Sequence, residues 1–348
     1  MEAAAGSATA GARMHVRRCV VAMCLLAMFG AWANSRAETA PPPPKTVFVA
    51  VAKDVKLEVL DWGGSGRALV FLAGFGATGH EFDGFAPSFI DHHHVYAITR
   101  RGFGASSKPS PTMENYSASR LGDDVLAVIG ALRLDRPVLA GHSIAGEELS
   151  YIGSHHADKV SGLVYLDAGY SFAFYDPALG SEVIDNHDLR TKLDLLQGAG
   201  PGDAKLLIRE LLQTDIPRYE RHLREWQAEL QDTPASLRLS PAPVTPQFLL
   251  MKAALDGEEK FSNIKPPVLA IFAIPKDDER KATPSVRTSV HDEYAEARAF
   301  QKGVPQARVV ILPYASHVVF RSNTAEVIRE MNAFMARLPQ ASGPAKGK

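Results

Sequence analysis

The sequence predicts an α/β fold, a mostly parallel sheet wound by helices on both faces, with an all-helical segment inserted late in the chain. Three observations carry that expectation. Short apolar runs of strand length, such as residues 68–72 and 138–140, lack the period-2 alternation of a half-exposed strand and suit strands buried on both faces. They alternate with helical patterns, an order that demands parallel strands joined by right-handed crossovers. Between residues 168 and 266 the rhythm changes, strand signals stop and three- and four-residue apolar spacing takes over.

Composition narrows the classes of partner. The chain has 348 residues, 46% hydrophobic and 22% charged, with a formal net charge of -1. That is an ordinary globular balance with no basic excess, so nucleic acid is not an expected partner and a small-molecule substrate is. The sequence leaves the oligomeric state open. Residues 1–37 read as a signal peptide: Arg17-Arg18 precede an apolar run over 19–33, and small residues offer cleavage after Ala33 or Ala37. Met14 is the better start. The run is short for a membrane span, so export to the periplasm or medium is preferred over a single-pass anchor, with no stable membrane association after cleavage. Both cysteines, Cys19 and Cys24, fall in this segment. The mature chain is therefore expected to have no disulfide, no thiolate metal site and no cysteine nucleophile, and neither metal nor cofactor is expected. Chemistry must then come from serine, histidine and carboxylates.

Residues 38–45 form a proline-rich spacer, and the first part of the core spans 46–167. Strands are expected over 47–51, 55–62, 68–72 and 95–99, with a glycine-rich turn at 63–66. Leu121, Val125, Ile129 and Leu132 mark a helix over 116–134, whose Asp123 and Asp124 read as solvated charges on its outer side. A strand over 138–140, a helix from about 145 to 156 and a strand over 163–166 complete this part. In the helical segment 168–266, residues 203–213 and the stripe Tyr219, Leu223, Trp226, Leu230 read as helices. Thr245-Pro246 supplies the start of another over 248–255. The second part of the core, 267–338, holds strands over 267–274 and 308–312 and helices near 290–301 and 324–338. Residues 339–348 are expected to form a disordered tail.

The chemistry is expected where the strand 138–140 ends. Gly141-His142-Ser143-Ile144-Ala145-Gly146 places a serine between small residues at a strand-to-helix turn. Such a turn strains the serine backbone and leaves no room for bulk two positions away, and it presents the hydroxyl beside the first amides of a helix. A glycine turn followed by a serine helix cap would read the same way. The triplet His92-His93-His94 cannot direct three consecutive side chains at one tetrahedral ion and reads as solvated. His142 points away from the hydroxyl and has a supporting role at most.

Three further features accompany that turn: Ala73-Gly74-Phe75-Gly76 after a buried strand, the run Arg101-Gly102-Phe103-Gly104-Ala105-Ser106, and a late His317. Together, over residues 45–167 and 267–338, the chain resembles the α/β-hydrolase superfamily. That resemblance implies a helical cap at 168–266 and a triad in the chain order serine, acid, histidine. Ser143 would be the nucleophile and His317, between the last strand and the last helix, the base. The acid would be Asp277, after the strand that follows the cap, with Asp278 and Asp167 as alternates. Backbone amides of Phe75 and Ile144 would form the oxyanion hole. The family commonly has His-Gly where this chain has Ala73-Gly74. A serine at the elbow disfavours the dehalogenase and epoxide-hydrolase branches, which place aspartate there. The expected reaction is hydrolysis of small or medium carboxylic esters through an acyl-enzyme. Amide, lactone or carbon–carbon bond hydrolysis, or ligand binding without catalysis on the same scaffold, are the alternatives.

Overall fold

A parallel ladder whose strands all finish at one edge gathers the residues of interest. The structure is a computed structural model and describes residues 43–170, 173–229, 231, 244–275 and 293–339. The expected signal peptide, all but the end of the spacer, and the tail beyond residue 339 lie outside them. So do Asp277 and Asp278. No helix among the described residues is long and apolar enough to cross a membrane.

The chain enters through an antiparallel hairpin, β1 (Lys45–Ala52) and β2 (Val55–Gly63). There follow β3 (Arg67–Leu72), β4 (His93–Ile98), α1 (Ala118–Ala131), β5 (Val138–His142), α2 (Gly146–His155) and β6 (Gly162–Leu166). Among the described residues four longer helices come next: α3 (Glu182–Gly198), α4 (Pro201–Glu210), α5 (Ile216–Glu229) and α6 (Pro246–Asp256). The core resumes with β7 (Val268–Ile274), α7 (Glu293–Gly303), β8 (Ala307–Pro313) and α8 (Thr324–Met335). The eight strands lie in the order β1-β2-β4-β3-β5-β6-β7-β8, antiparallel at β1–β2 and β2–β4 and parallel from there on.

Every residue of β5, β6 and β7 is buried, which is why these stretches read as continuous apolar runs. Alternate side chains divide between two cores. Val70 and Leu139 join Val125 of α1, Leu149 of α2 and Phe300 of α7 on one face. Leu69, Phe71 and Ala140 join Phe82, Phe89 and, from α8, Met331 on the other. The in-register pairs Leu72↔Gly141, His142↔Leu166 and Leu166↔Ile271 bring the carboxyl ends of β3, β5, β6 and β7 to one edge. Whatever follows those strands meets there, as in open parallel sheets generally.

The helical segment departs from expectation in detail. Thr245 caps α6 by accepting from the Phe248 amide at 3.1 Å, with Pro246 in the first turn, as the sequence predicts. The helix expected over 203–213 instead occupies Pro201–Glu210 and runs through a π-helical turn, Leu211–Asp215, into α5. That wider turn puts Asp215 inside, where its Oδ2 accepts from Lys192 Nζ of α3 at 2.8 Å.

Asp124 is the clearer correction. It is buried, not solvated, and its two oxygens accept from Arg101 Nε and Nη2, both at 2.6 Å. Arg101 follows β4 and is itself buried, so a planar fork with no water must find a planar carboxylate. Removing one member of such a pair strands a buried charge and costs about 3–5 kcal/mol. Asp124→Ala is therefore expected to lower the urea midpoint by that equivalent, whereas Arg101→Met combined with Asp124→Leu restores most of it. Equal losses in the single and double variants would show that the fork is not what stabilises this site.

Candidate active site

Ser143 lies one residue beyond β5 and opens a 3-10 turn, Ser143–Ala145, that runs into α2. Its φ is 55°, a left-handed value that L-residues avoid and that marks stored strain. Only small neighbours permit the turn. A Cβ on Gly141 would meet Ala145 Cβ and Leu149 Cδ1, each at 3.0 Å. A Cβ on Gly74 would come within 2.8 Å of His142 Nδ1 and 3.5 Å of Ser143 Cβ, so the 73–76 loop passes directly over the serine. Being at the start of a helical turn, the Ile144 amide has no carbonyl one turn back to bond to.

His317 lies in the loop between β8 and α8. Its carbonyl accepts from His142 Nε2 at 3.1 Å, and the two imidazoles lie 4.8 Å apart between ring centroids. Because a carbonyl can only accept, His142 carries its proton on Nε2. Phe320, three residues on, meets the His142 ring edge-on at 5.2 Å and packs on Phe82 at 4.9 Å. Phe82 stacks on Phe71 of β3 at 4.7 Å. An aromatic chain thus pins the histidine loop to the sheet. Among the described residues no hydrogen bond joins Ser143 Oγ to the His317 ring. Catalytic hydrogen bonds are often long without substrate and tighten on binding.

The carboxylate on His317 is Asp167. Its Oδ2 lies 2.7 Å from His317 Nδ1, and its Oδ1 accepts from the Ala273 amide of β7 at 2.8 Å. The sequence reading puts Asp277 first, with Asp278 and Asp167 as alternates. The first two lie outside the described residues, and the structure brings the third to the ring. Asp167 reaches it because its backbone also turns left-handed, φ 49°, immediately after β6. Nothing in Asp167-Ala168-Gly169 announces that turn, since non-glycine residues enter it rarely. Burial works to lower the His317 pKa, but the hydrogen bond and charge of Asp167, with the charge of Glu81 adding, outweigh it and leave the imidazole above its ordinary value of 6.5. The ring is 55% exposed, so solvent moderates the effect.

Four charged groups that the sequence reading leaves out surround the turn. Glu81 Oε1 accepts from the Gly74 amide at 2.7 Å, while its Oε2 lies 3.3 Å from His142 Nδ1. Arg100, at the end of β4, donates from Nε to Glu148 Oε1 at 2.7 Å and from Nη1 to the Gly74 carbonyl at 3.4 Å. Glu147 and Glu148 occupy the first turn of α2 and are buried. The available signal was two acids on a helix that must bury its face, with an arginine ending an apolar strand. Over the serine lies an apolar roof in which Ile144 packs with Phe75, Tyr116, Leu250, Ala253 and Ala254, three of them from α6. Of the histidine triplet, His93 bonds to the Arg67 carbonyl and His94 to Asp61, while His92 is exposed. Among the described residues no group of three or more His, Cys, Asp or Glu is arranged to hold a metal ion.

Residues 69–330 match the model of the Alpha/beta hydrolase family. A fluoroacetate dehalogenase from Burkholderia sp. is 32% identical over 116 residues, 33% of this chain and 38% of that protein. The chain thus aligns with less than half the length of that relative, and with 56% of an epoxide hydrolase A from Mycobacterium tuberculosis. A pimeloyl-[acyl-carrier protein] methyl ester esterase from Aeromonas hydrophila is 23% identical over 278 residues, 78% of this chain and 96% of its own. Among solved structures, an E-2-(acetamidomethylene)succinate hydrolase superposes with a TM-score of 0.53 at 19% identity, covering 84% of this chain and 99% of its own. At that identity the likeness is one of fold.

The acids of α2 also make the site's support sensitive to pH. Burial and then the charge of Glu258, which follows α6, hold the Glu147 carboxyl well above the ordinary carboxylate range. Glu148 and Glu259 add to it, and Glu258 is itself pushed up by burial to about 8. Glu147 Oε1 and Glu258 Oε2 have no partner among the described residues, although the Glu259 amide donates to Glu147 Oε2 at 3.3 Å. The nearby Tyr165 hydroxyl, bonded to Ser150, is held protonated by burial. Raised folded-state values mean that the native protein binds protons more tightly than the unfolded chain, so stability falls as pH rises. The contribution is complete near pH 4.5 and lost as pH climbs through about 8. Glu147→Gln is expected to flatten that decline and to melt higher than the parent at pH 8. Parallel stability curves for the two proteins from pH 5 to 8 would refute it.

Proposed function

The chain belongs to the alpha/beta hydrolase family, and on that footing we propose that it is a serine hydrolase that cleaves small or medium carboxylic esters through an acyl-enzyme. The observation that carries the reading is the Asp167–His317 bond at 2.7 Å beside the strained turn at Ser143. With His317 Nδ1–H donating to Asp167, Nε2 is left as the basic nitrogen that takes the Ser143 proton as Oγ attacks the carbonyl carbon. The amides of Ile144 and Phe75 receive the negative charge that develops on the carbonyl oxygen. His317 returns the proton to the departing alcohol, then activates a water that hydrolyses the acyl-enzyme and frees Ser143. Asp167 accepts from Nδ1–H throughout, holding the ring in register and stabilising its charged form.

Esters are preferred for two reasons. The methyl ester esterase is similar to 78% of this chain, and the roof over the serine is apolar, which suits an acyl chain. The dehalogenase and epoxide hydrolases are similar over about half of this chain or less, and the elbow residue here is Ser143 rather than aspartate. Amide, lactone or carbon–carbon substrates would use the same groups. A purely ligand-binding role would have no use for the Asp167–His317 pair.

Ser143→Ala is expected to fold, to lose turnover of short-chain nitrophenyl esters and to lose fluorophosphonate labelling. Unchanged labelling of that variant would point to another nucleophile. For the acid, Asp167→Asn is expected to lower kcat by about 10⁴-fold, with Asp277→Asn and Asp278→Asn costing about tenfold or less. Because His317 must be neutral to accept the proton, kcat/KM should rise with pH through a value above 6.5, and Asp167→Asn should move that limb down. A crippled Asp277→Asn beside a nearly silent Asp167→Asn would return the role to the later strand.

We propose that the protein is exported, from Arg17-Arg18 and the apolar run that follows them. Expression from Met14 in a bacterium is expected to give a periplasmic product beginning near Asn34 or Glu38 and free of thiols. N-terminal sequencing that finds residues 19–33 retained would favour a membrane anchor instead.

A further inference from the structure

One residue of the loop over Ser143 is gripped at both of its backbone polar groups by buried charged side chains. The Gly74 N–H donates to Glu81 Oε1 at 2.7 Å, and the Gly74 carbonyl accepts from Arg100 Nη1 at 3.4 Å. Glu81 is 9% exposed and Arg100 6% in their side chains, so neither grip is shared freely with solvent. Each of these side chains also reaches the elbow, on opposite sides of the serine. Glu81 Oε2 lies 3.3 Å from Nδ1 of His142, the residue before Ser143. Arg100 is paired at 2.6 Å with Glu148, five residues after it.

The geometry matters because the Gly74 carbonyl and the Phe75 N–H are the two ends of one planar peptide. A group that fixes the carbonyl fixes the direction of the amide. A guanidinium on the carbonyl oxygen also polarises the peptide and makes its N–H a better donor. Glu81 fixes the preceding peptide in the same way through the Gly74 N–H. Ala73 offers no polar side chain, so the loop has no anchor of its own at that position. Gly74 itself must lack a Cβ, as the 2.8 Å approach to His142 shows. Apart from these side chains, one backbone turn bond, the Ala77 N–H donating to the Gly74 carbonyl at 3.3 Å, restrains a residue that as glycine turns its peptides easily.

We infer that Glu81 and Arg100 are positioning residues for the oxyanion hole, aligning the Phe75 amide with that of Ile144 by holding Gly74 at its N–H and at its carbonyl, with Arg100 tied in turn to Glu148. The inference rests on Ser143 being the nucleophile. Glu81 touches no reacting atom in this scheme and acts through the loop. Its effect therefore falls on the transition state, where charge appears on the substrate oxygen, rather than on ground-state binding.

The test compares the parent with Glu81→Ala and Glu81→Gln in steady-state hydrolysis of nitrophenyl butyrate and in inhibition by phenylboronic acid, an analogue of the tetrahedral adduct. Ser143→Ala is run alongside. Glu81→Ala is expected to lower kcat by up to about 100-fold, with KM changed less than about threefold and boronate affinity weakened in step with kcat. Glu81→Gln keeps an amide oxygen for the Gly74 N–H and is expected to recover most of kcat, which a mere packing role would not produce. If Glu81→Ala does not fold, Glu81→Met, similar in volume and lacking the acceptor, takes its place. An unchanged kcat in the Ala or Met variant overturns the brace. So does a Gln variant no better than Ala at equal melting temperature, and so does a loss confined to KM. Full turnover by Ser143→Ala would overturn the brace together with the reading it rests on, and is distinguishable because the Glu81 arms do not produce it.

Discussion

The strained backbone at Ser143 is the constraint from which the rest of this site follows. A left-handed serine at the end of a buried strand persists only if nothing nearby needs its space. The structure meets that demand at Gly141, Ala145 and Gly74. A strained turn must also be over-determined by its surroundings. Here it is held by the in-register pairs of β5 with β3 and β6, and from outside by His142, whose ring is lodged between Glu81, His317 and Phe320. Strain at the serine and order around it are thus one phenomenon. A looser shell would let the turn relax and withdraw the hydroxyl.

Much of this was legible in the sequence because the parallel sheet leaves a simple mark. Fully buried strands such as β5 and β6 read as unbroken apolar runs, and small residues announce the turn after β5. What was not legible depends on pairings distant in the chain. Asp124 looked like a solvated helix charge because its partner, Arg101, stands 23 residues away and periodicity does not report it. Asp167 looked less suited to the histidine than a carboxylate after the later strand, because its reach depends on one left-handed residue. Glu81 and Arg100 carry no motif at all. Their role exists only once β3 and β4 lie side by side.

Charge is buried at two places in the core. Arg100 with Glu148 and Arg101 with Asp124 form buried ion pairs, while the roof around Ile144 is apolar. Buried ion pairs add little net stability compared with apolar packing of the same volume. They do offer direction, because a fork or carboxylate satisfied at fixed angles tolerates few alternative geometries. On this view the polar floor is retained for precision, and the apolar roof is the part free to follow the substrate.

That division has a counterpart in how the chain is strung. The helices α3 to α6 leave the sheet after β6 and return at β7, and these two strands are neighbours paired from Leu163↔Val268 to Leu166↔Ile271. The excursion therefore begins and ends at almost the same place. Closing a loop of roughly a hundred residues costs little more than closing one half as long, since each doubling adds only about 0.6 kcal/mol. Changes in the length of the helical segment should consequently cost the sheet beneath little in loop-closure entropy. The roof is thus joined to the sheet at a single narrow neck, the paired ends of β6 and β7.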